Sequence, residues 1–87
     1  MTFRVQWSRR ALEALAKIWI DHNRHQAQVL DAAANASRLL ETDPHLMGES
    51  RDEDRRVVFV PPLAVFYRVD MRQQVVQIFG VRHFYSG

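Results

Sequence analysis

The most chemically loaded stretch of the chain is Arg82-His83-Phe84-Tyr85, which lines up a cation, an imidazole, an aromatic ring and a phenol beyond an apolar strand. That set has what RNA binding and cleavage require. Histidine moves protons near neutrality, arginine steadies an overcharged phosphate, and tyrosine stacks on a base or positions a proton. RNA carries its own nucleophile, the 2′-hydroxyl, so neither a metal nor a covalent enzyme residue is obligatory. The same residues also suit a structural role, with His83 and Tyr85 closing a sheet edge against a helix. Arg56 and Arg68 fall on strands expected to be neighbours, where their guanidinium groups converge near the C-terminal end on a phosphate or an acidic partner. The expected catalytic set is therefore His83, Arg68, Tyr85 and Arg56. Arg51, Arg55 and Arg82 are the expected RNA contacts, although Arg51 and Arg55 alternate with acids in a stretch, 49–56, where seven of eight positions are charged.

Other chemistries lack their residues. There is no cysteine, which removes thiol catalysis, disulfides and thiolate zinc sites. Three glycines, none consecutive, cannot build a phosphate cradle, and no HExxH or serine elbow occurs. His22 and His25 stand three apart, as a helical metal pair would, but no third ligand has matching spacing, so they read as surface or capping residues. His45, just after Pro44, reads the same way. Asp52, Glu53 and Asp54 read as solvated loop carboxylates. No cofactor and no metal are expected.

The elements that must position these residues follow from periodicity. Phe3, Val5 and Trp7 alternate with Thr2, Arg4 and Gln6, the pattern of a half-buried strand. Ser8 offers a cap for a helix starting near Arg9, whose apolar face is expected along Leu12, Leu15, Ala16 and Trp19, widened by Ile18 and Ile20. The polar run 21–25 breaks that helix. A second follows with Gln26, Leu30, Ala33, Ser37 and Leu40 on one stripe, beside Val29, Ala36 and Leu39, and it ends ahead of Pro44. Residues 44–54 form the one real loop. Strands are expected over 57–60, 63–69 and 75–81, with Pro61-Pro62 and 70–73 as connections. The fold class is thus α+β, in the order β-α-α-β-β-β: a curved, mainly antiparallel sheet packed against an antiparallel helix pair.

Eighty-seven residues form one domain, 1–87, and leave no room for a dinucleotide fold or a barrel. No run approaches the ~20 apolar residues of a membrane span, and the first residues lack the order of a secretion signal, so a cytoplasmic protein is expected. The net charge is only +2, yet eleven of the twelve basic residues are arginine, the side chain that binds phosphate and carboxylate in a planar, bidentate way.

Read in order, several of these segments resemble one family. Phe3-Arg4-Val5-Gln6-Trp7-Ser8 leads into a helix with Ala11, Leu15 and Ile18. Pro44 and Gly48 follow the second helix. Then come Pro61-Pro62-Leu63-Ala64-Val65-Phe66-Tyr67-Arg68-Val69-Asp70, Val76-Gln77-Ile78 and the ending Val81-Arg82-His83. Over essentially the whole chain this is similar to the RelE/ParE toxins of type II toxin–antitoxin systems.

The resemblance implies a toxin neutralised by a cognate antitoxin whose disordered or helical tail covers its basic surface. Members similar to RelE cut messenger RNA on the ribosome without a metal, which would make this chain an mRNA endonuclease; members similar to ParE inhibit DNA gyrase and are not nucleases. The nuclease residues carry over only in part. The position of the phosphate-stabilising strand arginine falls near Leu63-Ala64 and is uncharged. The preceding lysines have at best Arg55 as a counterpart, with Val57 where another would lie. A late arginine falls near Phe84. His83 matches the C-terminal histidine of other RNA-cutting relatives, and Tyr85 their nearby tyrosine. Messenger RNA and the ribosome, or gyrase, are thus both left as targets, as are a homodimer through the helices and a heterotetramer with the antitoxin.

Overall fold

A computed structural model describes residues 2–51 and 54–84. The order is β1 (Arg4–Trp7), α1 (Arg9–Asp21), α2 (Gln26–Leu39), a single 3-10 turn (Pro44–Leu46), β2 (Glu49–Ser50), β3 (Arg55–Val60), β4 (Leu63–Asp70) and β5 (Val75–His83). The five strands make one sheet in the order β1-β5-β4-β3-β2. The helix pair packs on it, as the periodicity implies, and three of the four strand pairings are antiparallel; β1 runs parallel to β5. No helix among the described residues is long and apolar enough to cross a membrane.

Local chemistry sets the boundaries. Ser8 caps α1 as expected, its Oγ accepting from the Ala11 amide at 3.0 Å. His22 closes the helix, its amide donating to the Ile18 carbonyl at 3.0 Å. The Gln26 side-chain amide donates to the Trp19 carbonyl at 3.1 Å and ties the start of α2 to the end of α1. Pro61-Pro62, joined by a cis peptide, form the two-residue connection between β3 and β4. β2 lies inside the expected loop: Glu49 and Ser50 pair with Val57 and Arg56.

The core is built from Val58 of β3, Leu63, Val65 and Tyr67 of β4, and Val76, Ile78 and Val81 of β5, closed by Val29, Ala32, Ala33, Ala36 and Leu40 of α2. Each fully buried valine, leucine or isoleucine contributes roughly 1.5–3 kcal/mol. The buried stripe of α1 matches expectation at Leu15 and Ile18, which pack against the core, and differs elsewhere. Ala11 is buried and Ala14, Leu15 and Ile18 half-buried, whereas Leu12 and Trp19 are 51% and 37% exposed. The cause is where α1 sits. Ser8 donates its amide to the Ile78 carbonyl at 2.9 Å, so the helix starts where β1 stops and runs beside the second half of β5. Small side chains at 11 and 14 allow that close approach, and the larger stripe is turned aside. On α2, likewise, Leu30 and Leu39 stay exposed while Ala32 is buried.

Tyr67 holds the loop that leads into β2. Its hydroxyl reaches the Pro44 and Met47 carbonyls at 2.9 and 2.7 Å, and Arg56 Nε donates to the same Met47 carbonyl at 2.8 Å. Burial pushes the phenol's pKa above its ordinary 10, against a smaller opposing pull from Arg56. A raised folded pKa favours the protonated form, so this stabilisation is complete below pH 10 and is lost as pH climbs past it. Tyr67→Phe is expected to cost about 1–3 kcal/mol at pH 7 and to flatten the decline in stability above pH 10, both read from urea titrations. An unchanged midpoint would show that the hydroxyl contributes nothing.

Candidate functional site

Residues directly opposite one another in a ladder project to the same side of the sheet. Val60 and Leu63, Val58 and Val65, and Arg56 and Tyr67 are partners between β3 and β4, and these face the core. Phe59 with Ala64, Val57 with Phe66, and Arg55 with Arg68 face the open side. Arg56 and Arg68 therefore lie on opposite sides of the sheet, and the expected convergence of their guanidinium groups does not occur. One position of register decides it. Arg56 is instead tied down, with Nε on the Met47 carbonyl and a terminal nitrogen on the Gly48 carbonyl at 3.3 Å.

A bulge in β5 separates the other expected partners. Phe66 pairs with Gly80 and Tyr67 with Ile78, so Phe79 is an extra residue in the ladder. Strict alternation from Val75 puts Gln77, Phe79, Val81 and His83 on one side. The extra residue reverses this beyond Phe79: Val81 and His83 join the core side opposite Val65 and Leu63, and Arg82 joins the open side opposite Ala64. His83 also lies four residue steps along β4 from the partner of Arg56, about 13 Å at strand spacing. Neither Arg56 nor Arg68 shares a site with the imidazole. Tyr85, the fourth expected catalytic residue, lies outside the described residues.

His83 meets His22 instead. The two rings stack with centroids 3.8 Å apart and an interplanar angle of 11°. Burial, together with the charges of His22 and His25, lowers the His83 pKa below 6.5, so the neutral form is favoured in the fold. Beyond it, the Phe84 amide donates to the Pro62 carbonyl at 2.9 Å and the Phe84 ring meets Phe59 edge-on at 5.4 Å.

The open side gathers a different group. The guanidinium carbons of Arg68 and Arg55 lie 5.1 and 5.9 Å from the centre of the Phe79 ring, which is itself 6.4 Å from Phe66. Arg68 also pairs with Asp54 at 3.9 Å, and both side chains stay largely solvated. Arg10, Ala14, Phe66, Phe79 and Arg82 line one cleft where the start of α1 reaches the rim of this face. Arg51 is turned to Glu49 at 3.7 Å. Of the residues singled out by sequence, then, Arg55, Arg68 and Arg82 share this side with two aromatic rings. Phe66 and Phe79 reach this side by plain alternation, Phe66 two residues before Arg68 and Phe79 two after Gln77, and that spacing is the signal available; Arg10 carries none. Among the described residues no group of three or more histidines and carboxylates can hold a metal ion.

Such an architecture, a helix pair on a five-stranded mixed sheet, is that of solved chains from toxin–antitoxin complexes. A chain of the RelBE2 toxin–antitoxin complex of Mycobacterium tuberculosis superposes with a TM-score of 0.75 at 20% identity, covering 95% of this chain and 99% of that one. A chain of the chromosomal ParDE system of P. aeruginosa gives 0.75 at 17%, covering 97% and 98%. The archaeal RelE–RelB complex of Pyrococcus horikoshii OT3 gives 0.62 at 19%, with both chains covered in full. At these identities the likeness is one of fold. The sequence supplies the rest: residues 5–84 match the family described as ParE toxin of type II toxin–antitoxin system, parDE. The chain belongs to the ParE toxin family of type II toxin–antitoxin systems, and the RelE/ParE resemblance read from its segments holds. No curated protein sequence matches it.

Proposed function

We propose that this toxin arrests growth by binding a protein target, with DNA gyrase as that target, rather than by cutting messenger RNA, and that a cognate antitoxin neutralises it. The observation that carries this reading is the bulge at Phe79. A general acid or base must come within hydrogen-bond reach of a group whose charge a nearby cation stabilises. The bulge turns His83 to the core side and onto His22, away from Arg68, while Arg56 spends its donors on backbone carbonyls. In this reading the open face, with Arg55, Arg68 and Phe79, meets the target, and His83 is structural. One observation favours the alternative, ribosome-dependent cleavage of messenger RNA: guanidinium groups interleaved with Phe66 and Phe79 are also the chemistry that holds a single strand.

The test is induced expression of the wild type and of His83→Ala in growing bacteria, with primer extension on abundant messages beside a DNA supercoiling assay. The expected result is growth arrest by both proteins, intact messages and altered supercoiling. Codon-phased cuts that vanish in His83→Ala would overturn the proposal and install the nuclease reading.

A further inference from the structure

We propose that the stacked His22–His83 pair is a proton-sensitive latch that holds the end of β5 against the end of α1 and releases it as the surroundings acidify. The pair joins the last turn of α1 to the end of β5. His22 caps the C-terminus of α1, and His83 is the last residue of β5. Their rings lie nearly parallel at 3.8 Å. Two imidazoles stack face to face at that distance when at least one is neutral; with a proton on each, two unit charges are held at van der Waals separation.

The surroundings add positive charge more than they remove it. From α1, Lys17 and Asp21 line the same shallow cleft as the two histidines, and Arg82 of β5 lines it too. His25, in the connection to α2, acts on His83 electrostatically. On β4 the partner of His83 is Leu63, which carries no charge. Among the described residues one carboxylate thus faces Lys17, Arg82 and three imidazoles, and each proton added to the group makes the next less favourable. Burial also lowers the His83 pKa from 6.5. With the folded value depressed, the stack's contribution is complete above the ordinary imidazole pKa and is lost as pH falls through the folded one. What the latch releases is the segment that follows: Phe84, held by the Pro62 carbonyl and the Phe59 ring.

Amide hydrogen exchange on the full chain tests this between pH 7.5 and pH 5, with rates corrected for intrinsic pH dependence. Protection of the Phe84 amide is expected to fall on the order of fivefold or more, the factor given by two unit charges about 4 Å apart in water, while amides of the central strand β4 keep theirs. His83→Phe and His22→Phe keep a stacked ring and remove the titration, so each is expected to hold Phe84 protection level across the same range. The proposal is overturned if protection in the wild type is flat with pH, or if it falls equally in both phenylalanine variants.

Discussion

Gly48→Ala is expected to cost about 3 kcal/mol or more, a large part of the roughly 5–15 kcal/mol that holds a domain together. Two costs add at this position. The backbone is left-handed, with φ +64°, which an L side chain adopts at about 1–2 kcal/mol. A Cβ built there also runs into the Val57 carbonyl oxygen, and it stands 2.8 Å from the carbonyl carbon and 3.3 Å from the Tyr67 hydroxyl. None of these groups has room to yield. Val57 is a ladder residue paired with both Glu49 and Phe66, and Tyr67 is fully buried. Relief has to come from moving the 47–50 segment, which removes β2 and the carbonyl acceptors of Arg56 together. In urea the midpoint should fall with little change in slope. A loss under about 1 kcal/mol would mean that the loop relaxes at almost no cost.

The second large effect is on toxicity. Removing both charges with Arg55→Gln and Arg68→Gln is expected to lower killing about a hundredfold, taking each arginine at roughly one tenfold step of target affinity. Stability should stay level or rise. The two guanidinium groups are direct cross-strand partners, and like charges so placed repel. Among the described residues their compensation is small: a shared aromatic ring and one solvated contact with Asp54. Colony counts after induction, with thermal melts of the purified variant, separate the outcomes. Full killing by a folded double variant would remove the open face from the site.

Much of the scaffold was legible from residue order. Alternation at 3–7, the Ser8 cap, the break at 21–25 and the paired prolines at 61–62 each correspond to an observed boundary, because each is set by neighbours in sequence. What was not legible depends on distant partners. The parallel pairing of β1 with β5 leaves no mark, since alternation looks the same in either direction. β2 is two residues long, one acidic and one hydroxyl, and exists because Gly48 turns the chain onto β3. The face of α1 was misread because two alanines, not the bulkier leucine and tryptophan, meet β5. At the candidate site the residue types were identifiable but their grouping was not. A single extra residue at Phe79 exchanges the sides of Arg82 and His83.

The pairing of the first strand with the last also bears on how such a molecule is made. β5 is the strand on which β1, β4 and α1 all depend, and of the described elements it leaves the ribosome last. A nascent chain that has reached β4 already displays Leu63, Val65 and Tyr67 without the strand that completes their burial. Contacts that span nearly the whole sequence close late and slowly. The open face, which sets Phe79 of β5 against Arg55 and Arg68, is therefore complete only after β5 has emerged and paired with β4.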